Sequence, residues 1–224
     1  MAIAAESAPA DLRITRDLLE KYDKPGPRYT SYPTAPMWQH TFGDAQYRKA
    51  LARAAAQVDE PLSLYFHLPF CWQRCLFCGC NVVISKKHDV SNSYLDYLYR
   101  EVAMGAEALG ARKTVKQMHW GGGTPTYLDC AQIEELFKAV TAKFHFAPDA
   151  EIALEVDPRI TSREQMRLLR QLGFNRVSMG VQDLDPAVQA AITRNQTESQ
   201  TRQLFDWCRE DGFEGVNIDL SLIH

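Results

Sequence analysis

No stretch of this 224-residue chain is apolar for long enough to cross a bilayer as a helix. Neither sign of charge dominates: 25 Lys and Arg stand against 28 Asp and Glu, for a net charge of -3. The first absence argues against a membrane protein. The second removes the basic field that nucleic acid or an anionic membrane would require. The first 17 residues are Ala-rich but carry Glu6 and Asp11 and lack a charged segment followed by an apolar core, so they do not read as a secretory signal. A cytoplasmic location is therefore expected, and in that reducing compartment clustered cysteines point to metal or redox chemistry rather than disulfides. The chain also lacks long-range repeats and low-complexity tracts, and residues 1–60 lack a strand signal.

What is present begins with a Pro-rich extended segment, "KPGPRYTSYPTAP" at 24–36, followed by an Ala-rich helix expected over 44–58. From residue 61 a rhythm sets in. "PLSLYFHLPF" reads as a first strand, 93–109 as a helix, "VKQMHW" (115–120) as a second strand and 129–144 as a helix. Asp129 and Gln132 stand at capping-box spacing at the start of that helix. "EIALEVD" (151–157) is the third strand, 162–172 a helix, "RVSMGVQ" (176–182) the fourth strand, 199–210 a helix and 215–223 the fifth strand. Strict alternation predicts an α/β fold of about five parallel strands wrapped by helices, either a barrel or a doubly wound sheet. The chain stops at His224, directly after a buried-looking strand. Because parallel strands are normally covered on both faces, the sequence reads as the front portion of something larger.

Four of the six cysteines fall within ten residues, "CWQRCLFCGC" at 71–80, directly after the first strand. The spacing C-x3-C-x2-C-x-C admits three readings. A structural zinc site prefers two separated cysteine pairs, and no second pair exists elsewhere. Redox thiols are conceivable at Cys75 and Cys78, which have C-x2-C spacing. An iron–sulfur cluster held by thiolates is the third, and three cysteines would leave one iron open to a small ligand. Cys130 and Cys208 stand alone in helical patterns and read as buried small hydrophobes. The glycines of "HWGGGTP" allow a backbone to approach a ligand closely, although no phosphate-loop Lys follows. Glu155, Gln182 and Asp219 fall in the third, fourth and fifth strands, at the rim that usually serves ligands. Their plainer reading is capping or buried hydrogen bonding. A strand histidine such as His67 is more often a satisfied core residue than a ligand.

C-x3-C-x2-C after a first strand resembles the signature of radical S-adenosylmethionine (SAM) enzymes. The longer stretches "YFHLPFCWQRCLFCGC", "PGPRYTSYPTA", "QMHWGGGTPTYL", "EIALEVDPR", "GFNRVSMGVQD" and "VNIDL" resemble the oxygen-independent coproporphyrinogen III oxidases of that superfamily. The resemblance runs from about residue 20 to the end. It implies a partial (β/α)6-type barrel over 61–224, lacking a sixth strand and a C-terminal domain, with residues 1–60 covering the active site. It implies a [4Fe-4S] cluster on Cys71, Cys75 and Cys78, with Cys80 outside the coordination shell. Two SAM molecules are implied, contacted by Tyr65, Phe77, Gly122, Gly123, Thr124, Glu155, Gln182, Arg194 and Asp219. Arg28, Tyr29 and Tyr32 are implied on the substrate side. The implied reaction converts two propionates of coproporphyrinogen III to vinyls, giving protoporphyrinogen IX in haem biosynthesis, through a SAM-derived 5′-deoxyadenosyl radical. A low-potential electron donor protein and a monomeric state come with it. Two alternatives stand beside this: a related haem chaperone, against which Cys80 argues, and an inactive fragment of the oxidase.

Overall fold

The computed structural model describes residues 15–23, 37–38 and 41–221. The chain divides into two compact units, Met1–Gly43 and Asp44–His224. In the first, helix α1 (Arg16–Tyr22) is capped by Thr15, whose side chain accepts from Leu18 N, and carries an exposed Arg16–Glu20 ion pair. Arg28, Tyr29 and Tyr32 lie outside the described residues.

The second unit opens with α2 (Asp44–Ala55) and continues through β1 (Leu62–Leu68), β2 (Phe70–Cys71), β3 (Val83–Ile84), α3 (Val90–Ala108) and β4 (Thr114–Gly122). After a short 3-10 turn at Pro125–Tyr127 come α4 (Cys130–Thr141), β5 (His145–Val156), α5 (Arg163–Gln171) and β6 (Arg176–Gln182). Helices α6 (Pro186–Ala191) and α7 (Glu198–Glu210) precede β7 (Gly215–Leu220). The five long strands form one sheet in the order β1-β4-β5-β6-β7, every neighbouring pair parallel.

That order decides between the two architectures left open by the sequence. A doubly wound sheet reverses direction at a switch point, placing helices on both faces. Here each crossover steps the same way, so the helices gather on one face, as in a barrel wall. The packing agrees. Phe66, Leu68, Met118, Trp120, Leu154, Val156, Val177 and Met179 alternate along their strands and share one core with Leu98, Leu136, Leu169 and Leu204 of α3, α4, α5 and α7. Leu51 and Ala54 of α2 pack against the same core.

The other face is polar, because side chains alternate sides with period two. Ser63 Oγ donates to Gln117 Oε1 at 3.0 Å, and Gln117 Nε2 donates to Glu151 Oε1 at 3.2 Å. Arg176 then reaches Glu151 Oε2 at 3.4 Å and Asn217 Oδ1 at 3.3 Å, closing a belt across all five strands.

Several boundaries differ from the sequence expectation. β5 begins at His145 rather than 151, because residues near Pro148 bulge out between the Val115–Phe146 and Gln117–Glu151 pairs. The helix expected over 44–58 ends at Ala55. The capping box expected at Asp129 and Gln132 forms, and equivalent boxes start α5 at Ser162 and α7 at Thr197. Cys208 is a buried core residue, but Cys130, first in α4, is only partly covered.

Candidate active site

The cysteine loop is a closed excursion between β2 and β3, whose pairing of Phe70 with Val83 and Cys71 with Ile84 clamps its base. Ser85 N donates to Cys71 O at 3.0 Å. The far side is tied to the segment after α6: Leu76 N donates to Ile192 O at 3.1 Å and Thr193 Oγ1 to Arg74 O at 3.0 Å. Within the loop, Cys78 N donates to Cys75 O at 3.1 Å, turning the chain tightly between the two thiols. All six cysteines are free. Cys75 is buried, Cys71 and Cys78 are half-buried, and Cys80 is exposed.

The loop forms one wall of a cavity of about 530 Å³ at the C-terminal ends of the strands. Cys71, Cys75, Cys78, Cys80 and Phe77 line that wall. Gly122, Gly123 and Thr124 adjoin the root of that wall, and Glu155, Gln182, Arg194 and Asp219 also line the cavity. Tyr65 is not part of this lining. It stands on the polar face, 60% exposed, stacked on His119 with ring centres 6.0 Å apart and hydrogen-bonded to His67 Nδ1 at 3.2 Å.

The glycines are required by contact, not by turn geometry alone. A Cβ on Gly123 would lie 2.7 Å from Phe70 O and from Pro69 C, backbone atoms that cannot move aside. Gly123 N instead donates to Leu68 O and Thr124 N to Phe70 O, at 2.9 and 2.8 Å, which seats the glycine loop directly on the root of the cysteine loop. Gly122 has φ +111°, and a Cβ there would meet the His67 ring at 2.6 Å. Thr124 Oγ1 shares a 3.6 Å hydrogen bond with Cys71 Sγ.

Charge is concentrated at the same edge. Glu155 Oε2 accepts from Gly122 N at 3.3 Å, and Glu155 Oε1 lies 3.4 Å from His119 Nε2. Burial pushes the Asp219 carboxyl above its usual range, the Glu155 charge adds to this, and Arg194 opposes it. Cys80 is pushed up to about 11, first by desolvation and then by the neighbouring Cys78. Arg194 is buried, donating through Nη2 to Gly180 O at 2.7 Å, through Nε to Gln196 Oε1 at 2.9 Å and through Nη1 to Cys75 Sγ at 3.7 Å. Most of its donors thus have protein partners.

The backbone is strained here as well. Gln182, Thr193 and Asn195 have φ of 72°, 57° and 49°, values that cost a non-glycine residue about 1–3 kcal/mol in the less populated regions. Gln182 sits at an irregularity of the β6–β7 ladder, its Oε1 accepting from Ser221 Oγ at 2.6 Å. Such strain gathers where a fold positions a ligand.

Three free thiols on one wall, with the backbone of Gly122 and Gly123 lining the same cavity, suit a thiolate-held iron–sulfur cluster with room for a ligand beside it. Among the described residues, no three His, Cys, Asp or Glu side chains are gathered tightly enough to hold a metal ion as they stand. Sequence reasoning assigned no role to Asp157 and Arg159, although both lie in the "VDPR" that ends β5 and both line the cavity. Their position at a strand's C-terminal end was the available signal.

The Radical SAM superfamily profile matches residues 65–224. The oxygen-independent coproporphyrinogen III oxidase of Escherichia coli K12 is 46% identical over 203 residues, covering 91% of this chain and 44% of that protein. The enzyme of the same name from Synechocystis is 40% identical over 209 residues, covering 93% and 45%. A solved structure of coproporphyrinogen III oxidase from Escherichia coli, described as a radical SAM enzyme, superimposes with TM-score 0.79 at 45% identity over 90% of this chain and 44% of its own. The chain thus spans less than half the length of these relatives.

Proposed function

The chain belongs to the radical SAM superfamily, and from that membership we propose that it serves the anaerobic oxidative decarboxylation of coproporphyrinogen III. Two propionates would become vinyls, each losing CO2, a hydrogen atom to the SAM-derived radical and one electron to an external acceptor, giving protoporphyrinogen IX for haem biosynthesis. The superfamily's cofactors are a [4Fe-4S] cluster and SAM. When bound, they would supply one-electron reductive cleavage of SAM and, from it, the means of abstracting a hydrogen atom from the substrate.

The protein's part is to hold and orient these groups. Cys71, Cys75 and Cys78 would hold the cluster from the loop clamped by β2 and β3. Gly122, Gly123 and Thr124 would receive the amino group of SAM, since the backbone can approach a ligand there without Cβ obstruction. Glu155, Gln182 and Asp219 offer oxygens and an amide along the strand ends, and Phe77 offers an apolar surface beside the cluster. Tyr65 and His119 extend the site onto the polar face of the sheet. The basic and aromatic residues Arg28, Tyr29 and Tyr32 are assigned to a substrate rich in carboxylates.

The observation that carries this reading is that Cys71, Cys75 and Cys78 line one cavity together with Gly122 and Gly123. The test is anaerobic loading of the chain with iron and sulfide, followed by reduction in the presence of SAM. Release of 5′-deoxyadenosine is expected, and addition of coproporphyrinogen III should then yield protoporphyrinogen IX. A loaded, reduced cluster that leaves SAM intact would overturn the proposal.

A further inference from the structure

Behind Cys75 stands a buried group of charges. Asp157 and Arg194 are each 7% exposed as whole residues, and the Arg159 side chain is 15% exposed. The Asp157 carboxylate takes Arg159 in a fork: Nε lies 3.0 and 3.1 Å from the two oxygens, and Nη2 lies 2.6 Å from Oδ2. Arg159 Nη1 donates to Arg194 O at 2.7 Å, and Arg194 Nη2 lies 3.7 Å from Asp157 Oδ1. Both guanidinium groups also point a nitrogen at the same sulfur. Arg159 Nη2 is 3.8 Å and Arg194 Nη1 3.7 Å from Cys75 Sγ.

Count the formal charges of this group. One carboxylate and two guanidinium groups leave an excess of one positive charge in a site largely closed to water, where unbalanced charge is costly. A Cys75 thiolate, the form that ligates iron, brings the set to neutrality. Neither Cys71 nor Cys78 has a guanidinium hydrogen bond among the described residues; Cys71 meets the neutral hydroxyl of Thr124. The three thiols of the loop are therefore electrostatically unequal.

We propose that Arg159, locked by Asp157, is a positioning residue that holds Cys75 and Arg194 in place and sets the reduction potential of the cluster through the Cys75 sulfur. The proposal rests on reading Cys75 as a cluster ligand. Reduction adds negative charge to the cluster, so a fixed cation hydrogen-bonded to a ligating sulfur favours the reduced form and raises the potential. One charge-assisted hydrogen bond is worth enough to change the reduction equilibrium by about tenfold, or about 59 mV for one electron. Arg159 does this work, rather than merely filling space, because its planar fork satisfies Asp157 and still reaches the sulfur. A lysine retains the charge but cannot do both.

The experiment is a redox titration followed by electron paramagnetic resonance, with iron and sulfide analysis, on the loaded chain and its R159Q and R159K variants. R159Q is expected to shift the midpoint negative by about the tenfold equivalent, and R159K by less. A wild-type midpoint in R159Q would overturn the proposal. If R159Q loads no iron, R159K decides the matter: loading by R159K supports the role of the charge, and loss from both alike overturns it. The ligand reading fails separately if Cys75→Ser loads as much iron as wild type.

Discussion

Along β4, Met118 and Trp120 are wholly buried against the helices, while Gln117, His119 and Gly121 face the other side of the same strand. The helix face is packed chiefly by apolar side chains, and the Trp120 indole nitrogen is buried there without a hydrogen-bond partner. The opposite face and the strand ends carry hydrogen-bonded belts, buried arginines and three strained residues with positive φ. The two faces share a backbone but divide the labour. One holds the fold together, and the other carries polar groups in place of apolar packing. Mutations should separate them accordingly.

The largest loss of stability belongs to the helix face. Leu154→Ala, at a fully buried position, should cost about 2–5 kcal/mol by urea unfolding. Gly123→Ala tests the edge where the two regions meet. Forcing a Cβ to 2.7 Å from Phe70 O should cost about 1–3 kcal/mol, as overpacking does, and should also weaken SAM binding in a calorimetric titration. A loss of stability without a loss of binding would show that the glycine loop serves the fold alone.

A third test uses acid. Desolvation pushes Asp157 upward, but the Arg159 hydrogen bond and the Arg194 and Arg159 charges outweigh it, so its carboxyl titrates below the ordinary range. A folded-state pKa below the unfolded value of about 3.9 stabilises the protein above that pH, and the contribution is lost as pH falls through the folded value. Asp157→Asn should therefore flatten the fall in melting temperature below about pH 4. A curve that still parallels wild type would remove Asp157 from the account. The smallest effect is expected at Arg202→Ala on the outer side of α7. Its exposed pair with Glu198 should contribute no more than about 0.5 kcal/mol.

How far the sequence revealed this division depended on the range of the interaction. The alternation of strands and helices, the box at Asp129 and the clustering of thiols are local patterns, and each could be read directly. Whether the sheet was singly or doubly wound was not local, because it depends on which way each crossover steps. Helix α6 escaped although Asp185 and Pro186 stand as N-cap and first residue, since six residues are too few to show a period. Eleven of the residues that line the cavity followed from motif resemblance, and of the expected site residues that are described, Tyr65 alone is not part of that lining. Arg159 went unassigned for a physical reason. Its partners, Cys75 and Arg194, lie 84 and 35 residues away in the chain, and nothing in "VDPR" signals a buried fork.

The central claim is that the four clustered thiols are not equivalent. Cys75 is buried beside two arginines, whereas Cys80 is exposed with its thiol pushed up to about 11. Iron and sulfide content after anaerobic loading, measured in parallel on Cys71→Ser, Cys75→Ser, Cys78→Ser and Cys80→Ser, tests this most directly. The account predicts that the first three lose the cluster and that Cys80→Ser retains it at the wild-type level. Loss in Cys80→Ser as complete as in Cys78→Ser would contradict it and point to a site held by four thiolates.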